Sequence, residues 1–274
     1  MGRARYNPVP MTAGQLKHRA HVTAMKAVTT VLRVLGLRER VIAARKALGR
    51  ARRRRAEARG SDRLSRPALH GMDRAIDAAI DRDGGFFVEA GANDGFTQSN
   101  TYWLERFRGW TGILIEPMPA HYEECRLERP SARIVNAALM PEAAPGQTVR
   151  MHFGDLMSSV HGAHPEGEQE WVKPGLVLGW RDAHEVDVPA RTLSSILDEA
   201  GAPEVDLLSL DIEGFEPQAL RGLDLARHAP RWIVVEVYDL GPGREALEEV
   251  LGDRYVLEAQ ISPLDLLYRR ADLS

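Results

Sequence analysis

The sequence predicts an α/β protein built on a doubly wound, mostly parallel seven-stranded sheet, preceded by a basic helical extension. Three observations predict it. From Pro67 onward, short apolar runs alternate with amphipathic stretches, the order that produces βαβ units. Runs such as "VDLLSL" and "RWIVVEV" carry few alternating polar positions, as strands buried on both faces do. The last two short runs flank the turn "SPLD", which suits an antiparallel hairpin at one sheet edge.

Residues 1–13, with Pro8 and Pro10, read as a tail. Residues 15–58 read as helical, because Val22, Met25, Val28, Leu32 and Leu35 recur at three- and four-residue steps. This segment closes on the basic run "RARRRRAEARG", and 60–67 reads as a linker. The boundary therefore separates a basic extension, 1–66, from a main domain, 67–274. In that domain a helix over 68–82 meets the turn Asp83-Gly84-Gly85. Then follow strand 86–90, helix 99–107, strand 112–116, helix 119–128 and strand 133–139. A polar excursion rich in Gly, Pro and His fills 140–185. Helix 192–200, strand 205–211, helix 215–225, strand 231–237 and helix 243–251 come next. Two strands, 254–259 and 264–269, finish the chain.

The 274 residues are 44% hydrophobic and 27% charged, an ordinary globular composition. The single cysteine, Cys125, rules out an internal disulfide and a Cys-rich zinc site, and fits a reducing cytoplasm. Charge is unevenly placed: residues 1–66 carry 18 Lys+Arg against 3 Asp+Glu, and the remainder carries 18 against 36. The most apolar early stretch, "AMKAVTTVLRVLGL", is interrupted by Lys26 and Arg33. It is too short and charged to span a bilayer, which needs about 20 apolar residues. No small-residue cleavage site follows it. The expectation is a cytoplasmic protein whose residues 15–59 lie on an anionic inner-membrane surface. The same segment also suits packing on an acidic body, its own or that of a partner in a homo-oligomer, or plain solvation. Nucleic acid is not expected as a partner, because no aromatic residue interleaves with the arginines for base stacking.

The stretch "FFVEAGANDGF" places a turn after the first core strand, where open α/β sheets bind ligands. A dinucleotide fingerprint would need glycines where Asn93 and Phe96 stand, and a P-loop would need a Lys after Gly95. Phosphate is thus not the favoured ligand. What remains is an acid, Glu89, then Gly91 and Gly95, with Asn93 and Asp94 between them. Glycines let a ligand approach the backbone closely. A carboxylate there suits a cationic, amine-bearing ligand such as S-adenosylmethionine. The plainer reading is a strand–turn–helix connection whose glycines only permit tight packing.

Three further motifs add acids at strand ends. "GILIEP" ends on Glu116, placed as acids that accept hydrogen bonds from ribose hydroxyls are. "VDLLSLDIEGFE" brings Asp211, Glu213 and Glu216 within six residues around Gly214, close enough to perturb one another's protonation. "WIVVEVYD" supplies Glu236 and Asp239. Each also has a structural reading: a solvated strand end for Glu116, and a helix N-terminal acid favoured by the dipole for Glu216.

The long block "FFVEAGANDGFTQSNTYWLERFRGWTGILIEPMPAHYEECR", followed by "VDLLSLDIEGFEPQALRG", resembles the FkbM-type methyltransferases, of the class I S-adenosylmethionine-dependent, Rossmann-like fold. The resemblance runs from about residue 84 to 240. Phe215 stands where the family commonly has a His, so any role of that His is absent here. The resemblance implies that Glu89, Gly91, Asn93 and Gly95, with Asp94 in the same turn, hold the methionine part of the cofactor. It implies that Glu116 binds the ribose, with Pro117 turning the chain beneath. Asn136 and Ala137 would lie near the adenine, Ser158 and Ser159 would line the same pocket, and Asp211 would sit at the methyl-transfer end. The implied reaction is O-methylation of a hydroxyl on a sugar, glycolipid or secondary metabolite.

For such a transfer the enzyme positions the acceptor and removes its proton. Asp211 is the first candidate for base or metal ligand, followed by Glu213 and Glu236. Mg²⁺ held by Asp211, Glu236 and Asp239 would lower a hydroxyl's pKa; the alternative is that these acids only order loops. In 140–185, His152, His161, His164 and His184 read as lid residues, and Trp171 and Trp180 as acceptor contacts. Two other functions stay open: a nicotinamide-dependent oxidoreductase, opposed by the missing glycines, and a non-catalytic membrane- or partner-binding scaffold, opposed by the intact Glu89, Glu116 and Asp211.

Overall fold

A computed structural model describes residues 37–153, 158–160, 184–238 and 240–273. The chain divides into two units, residues 1–54 and 55–274. Helix α1, Arg38–Glu57, is rich in arginine and largely exposed, with Leu48 open to solvent. The part of the expected N-terminal helix before residue 37 lies outside the described residues. Among the described residues no helix is long and apolar enough to cross a membrane.

In the second unit the elements follow the predicted alternation. After a single turn of 3₁₀ helix come α2 (Met72–Ile80), β1 (Phe86–Ala90), α3 (Tyr102–Phe107), β2 (Thr111–Ile115), α4 (Pro119–Glu128) and β3 (Arg133–Val135). Then come β4 (Ala138–Leu139), β5 (Thr148–Phe153), β6 (Ser159–Val160), β7 (His184–Arg191) and α5 (Leu193–Ala200). The chain continues through β8 (Leu207–Leu210), α6 (Glu216–Arg221), α7 (Leu225–His228), β9 (Trp232–Glu236) and α8 (Pro242–Leu251). It ends on β10 (Tyr255–Gln260) and β11 (Asp265–Arg270).

The main sheet has seven strands in the order β10-β11-β9-β8-β1-β2-β3. Strands β9, β8, β1, β2 and β3 are parallel, and the β10–β11 hairpin closes one edge antiparallel, as the sequence predicts. Successive residues of each central strand feed opposite faces. Val88, Ile113, Leu208 and Ile233 enter one apolar layer, with Ile196, Leu220 and Leu247 from α5, α6 and α8. Phe87, Leu114, Leu207 and Val234 enter the other, with Ile76, Leu104 and Trp110. Both faces are covered, so the strands show no polar alternation.

Three expectations change. The strand expected over 133–139 breaks in two: β3 pairs with β2, whereas β4 pairs with β7 in a second sheet of order β4-β7-β5-β6. The break falls at Asn136, whose Nδ2 donates to the carbonyls of Glu116 and Pro117 at 2.9 and 2.8 Å and so takes the place of a further ladder step. The excursion expected over 140–185 supplies most of that second sheet. It has its own core of Met118, Ala138, Met151, Phe153 and Val188. His161, His164, Trp171 and Trp180 lie outside the described residues. Finally, the stretch expected as a linker is held to α3. Glu57 Oε1 accepts from Ser65 Oγ and Tyr102 OH, both at 2.8 Å, and Arg106 pairs with Oε2 at 3.0 Å. The Arg66 guanidinium lies 3.6 Å from the centre of the Trp103 ring, and Trp103 Nε1 donates to Asp62.

Candidate functional site

Strands β1 and β8 are neighbours, but the chain leaves them in opposite directions, to β2 on one side and β9 on the other. A cleft opens at their carboxyl ends, where such a reversal leaves room for a ligand. Its walls come from the turn after β1, the tip of β2, the 137–139 segment and the turn after β8.

Both glycines of the first turn also serve the protein's own packing. Gly91 has φ +80°, and a Cβ there would fall 1.8 Å from the Asp211 carbonyl oxygen. The turns after β1 and β8 therefore touch backbone to backbone. A Cβ on Gly95, also at φ +80°, would fall 2.9 Å from Arg129 Cγ and 3.0 Å from Cys125 Sγ. Gly91 still lines the cleft; Gly95 does not. Cys125 is buried, and burial pushes its thiol upward, so it packs and stays inert.

Of the other predicted residues, Glu89, Asn93, Glu116, Pro117, Ala137, Asp211 and Glu213 line the cleft. Asp94 does not. Its carboxylate accepts from the backbone N–H groups of Phe96 and Thr97, at 3.1 and 2.7 Å, and so closes its own turn. Asn136 is likewise outside the lining, spent on the two carbonyls above. Ser158 lines the cleft, and Ser159 lies in β6 beside it. His152 and His184 sit on β5 and β7, away from the lining; His184 stacks on Phe153 with ring centres 4.8 Å apart.

Glu116 is buried and ties two walls together. It accepts from Asn93 N at 2.7 Å and Met118 N at 2.8 Å. Burial pushes its pKa up, opposed by the charge of His121 and by those backbone bonds. Glu89 Oε2 accepts from Ser99 Oγ at 2.9 Å and Thr101 Oγ1 at 2.6 Å, and Oε1 accepts from Asn100 N at 2.8 Å. It thereby orders the segment 99–101, which the motif reading overlooked although Ser99 and Asn100 line the cleft. His121 was also missed. Its signal was a lone His in the first turn of the helix that follows Glu116.

At the other end stand the acids of β8 and β9. Asp211 and Glu236 share a hydrogen bond, and burial followed by the neighbouring carboxylates raises both. Glu236 is pushed up to about 7 and Asp211 well above its ordinary value. Glu236 itself stands behind Asp211 rather than in the lining, and its Oε2 has no hydrogen-bond partner among the described residues. Glu213, at φ +62°, accepts from Tyr238 OH at 2.7 Å. Glu216 accepts from Ile212 N and Gly214 N, so it orders its own turn. Of the five non-glycine residues with positive φ among those described, Asn93, Gln98 and Glu213 line the cleft, where strain at ligand sites tends to gather. Asp239, the third expected Mg²⁺ ligand, lies outside the described residues. Among the described residues no group of three or more His, Cys, Asp or Glu is placed to hold an ion.

No Lys or Arg lines the cleft among the described residues, while Glu89, Glu116, Asp211 and Glu213 do. That wall suits a cation and repels phosphate.

The family model described as "Methyltransferase FkbM domain" matches residues 89–258. A curated relative, Methyltransferase 1 of Beauveria bassiana (strain ARSEF 2860), is 28% identical over 173 residues, which are 56% of this chain and 64% of that protein. The chain thus spans less than two thirds of that relative's length. Among solved structures, a TehB-like SAM-dependent methyltransferase from Corynebacterium glutamicum ATCC 13032 is 15% identical, with a TM-score of 0.41 over 83% of this chain and 99% of that one. A SAM-dependent methyltransferase from Thiobacillus denitrificans in complex with S-adenosyl-L-homocysteine is 9% identical, with a TM-score of 0.31 over 69% of this chain and 58% of that one.

Proposed function

The chain belongs to the FkbM methyltransferase family, and we propose that it methylates a hydroxyl of a sugar, glycolipid or secondary metabolite with S-adenosylmethionine as donor. The donor supplies an electrophilic methyl group on a cationic sulfur. The acidic cleft lining fits such a cation, and it disfavours the two phosphates of a nicotinamide dinucleotide. Glu116 would hold the ribose hydroxyls, and Ala137 would lie under the base.

The observation that carries the hydroxyl reading is the Asp211–Glu236 pair. A hydroxyl is a poor nucleophile until its proton is taken. In the singly protonated pair, Asp211 faces the cleft and Glu236 stands behind it. Asp211 takes the acceptor's proton while passing its own to Glu236. The pair ends neutral, and no charge is left bare in the interior. Ile212 and Phe215 make the neighbouring wall apolar, which strengthens this exchange.

Calorimetry with S-adenosylhomocysteine and with NAD tests the donor. Binding of the first and not the second is expected; NAD binding alone would remove the reading. Methyl transfer to a panel of neutral polyols and phenols then tests the hydroxyl. The basic segment 15–59 suits contact with an anionic membrane surface. Salt-reversible co-sedimentation with phosphatidylglycerol vesicles, absent with phosphatidylcholine, is the expected result.

A further inference from the structure

The floor of the cleft holds a polar group that this chemistry leaves unused. Glu89 on β1 and Ser209 on β8 are register partners, and both line the cleft. Asn100 bridges them. Its backbone N–H donates to Glu89 Oε1 at 2.8 Å, and its Nδ2 donates to Ser209 Oγ at 3.0 Å. Asn100 is 5% exposed and also lines the cleft, yet its Oδ1 has no hydrogen-bond partner among the described residues. Buried polar side-chain atoms are nearly always partnered, and a bare one is destabilising. A ligand bringing a donor to this floor would remove the defect.

The floor offers acceptors. Glu89 Oε1 takes one bond and keeps acceptor capacity. Arg129, fully buried, lies 3.6 Å from Oε2 and binds Glu105 at 2.7 Å, so it balances part of the charge without entering the cleft lining. An ammonium has three donors and no acceptor. It matches this floor, whereas the Glu89 carboxylate repels a carboxylate or phosphate.

We propose that Asn100, oriented by Ser209, holds the α-ammonium of the methyl donor through its amide oxygen, beside the Glu89 carboxylate. This rests on the S-adenosylmethionine reading above. Asn100 and Glu116 then grip the donor on either side of its sulfur, which fixes the direction in which the methyl points. Asn100 is a positioning residue with no part in the proton transfer.

Calorimetry with two ligands separates this inference from its premise. S-adenosylhomocysteine carries the ammonium; 5′-methylthioadenosine lacks the whole amino-acid arm. Asn100→Ala should weaken S-adenosylhomocysteine by about tenfold or more, the loss of one charge-assisted hydrogen bond, and leave 5′-methylthioadenosine unchanged. Retained 5′-methylthioadenosine binding shows that the variant is folded. Ser209→Ala, which only frees the amide, should give a smaller loss with the same selectivity. Glu116→Ala should weaken both ligands. Unchanged S-adenosylhomocysteine affinity in Asn100→Ala, or equal losses for both ligands in both floor variants, overturns the role of Asn100. A wild-type protein that binds neither ligand sinks the donor reading and this one with it.

Discussion

Glu116, buried, and Asp211, partly exposed at the cleft, both have raised pKa values, and on the proposed reading their different neighbours give them different tasks. Glu116 is held by two backbone N–H groups, the arrangement of an acceptor waiting for hydroxyls. Glu116→Ala should weaken S-adenosylhomocysteine binding by about 1.5–3 kcal/mol, the range for hydrogen bonds to a charged group; calorimetry reads it. Asp211 leans on Glu236, the arrangement of a group that moves a proton. Asp211→Asn should cut turnover by about 10²–10⁴-fold, as loss of a general base does, with S-adenosylhomocysteine affinity nearly unchanged. The pair also fixes the sign of two pH effects. Turnover should rise as pH climbs through about 7, because the pair must lose its second proton before it can accept another. Stability should move the other way. Glu236 titrates near 4.5 when unfolded and near 7 when folded, so its contribution is full below the lower value and is lost as pH rises through the upper one. Glu236→Gln should flatten that decline in urea midpoints measured from acid to neutral pH.

At the scale of elements, the two strand-end turns depend on each other. Gly91 sits against the Asp211 carbonyl, whereas Gly84, with a similar positive φ, has open space around its missing Cβ. Gly84→Ala should cost only the left-handed backbone strain, about 1 kcal/mol. Gly91→Ala should cost clearly more and also weaken S-adenosylhomocysteine binding, because Asp211 must move. Urea unfolding and calorimetry on the two variants make the comparison. The strand pattern that revealed the main sheet misled over 133–139. A seven-residue stretch with five apolar residues looks like one strand, and only Asn136, bonding backwards to Glu116 and Pro117, ends the pairing. The strands "TVRMHF" and "HEVDVPAR" fell in the stretch read as a polar excursion, and nothing local says that they pair with each other.

For the whole molecule, the place where the basic segment ends matters to the fold. Glu57, Asp62, Ser65 and Arg66 are tied to Tyr102, Trp103 and Arg106. Burial works to raise the pKa of Glu57, but the hydrogen bonds from Ser65 and Tyr102 and the charge of Arg106 outweigh it and hold it down. A chain that begins at residue 67 should therefore melt several degrees lower than one that keeps residues 55–66, since about 1 kcal/mol moves the midpoint by a few degrees in a domain of this size. Differential scanning calorimetry reads the difference.

The sequence by itself determined the order of strands and helices in the main sheet, its antiparallel edge, the position of the cleft and the acids that face it. Those features follow from local hydrophobic period and from acids placed at strand ends, and neither depends on distant residues. Only the tertiary structure decided what each polar group does. Glu89, Asp94, Asn136 and Glu216 turn to backbone and side-chain partners of the chain itself, Asp211 and Glu236 meet across β8 and β9, and Asn100 is left with a bare oxygen. Asp94 and Glu216 close local turns, but the pairing of Asn100 with Ser209 follows from β1 and β8 lying side by side, an adjacency that spans 109 positions and is beyond the reach of any local pattern.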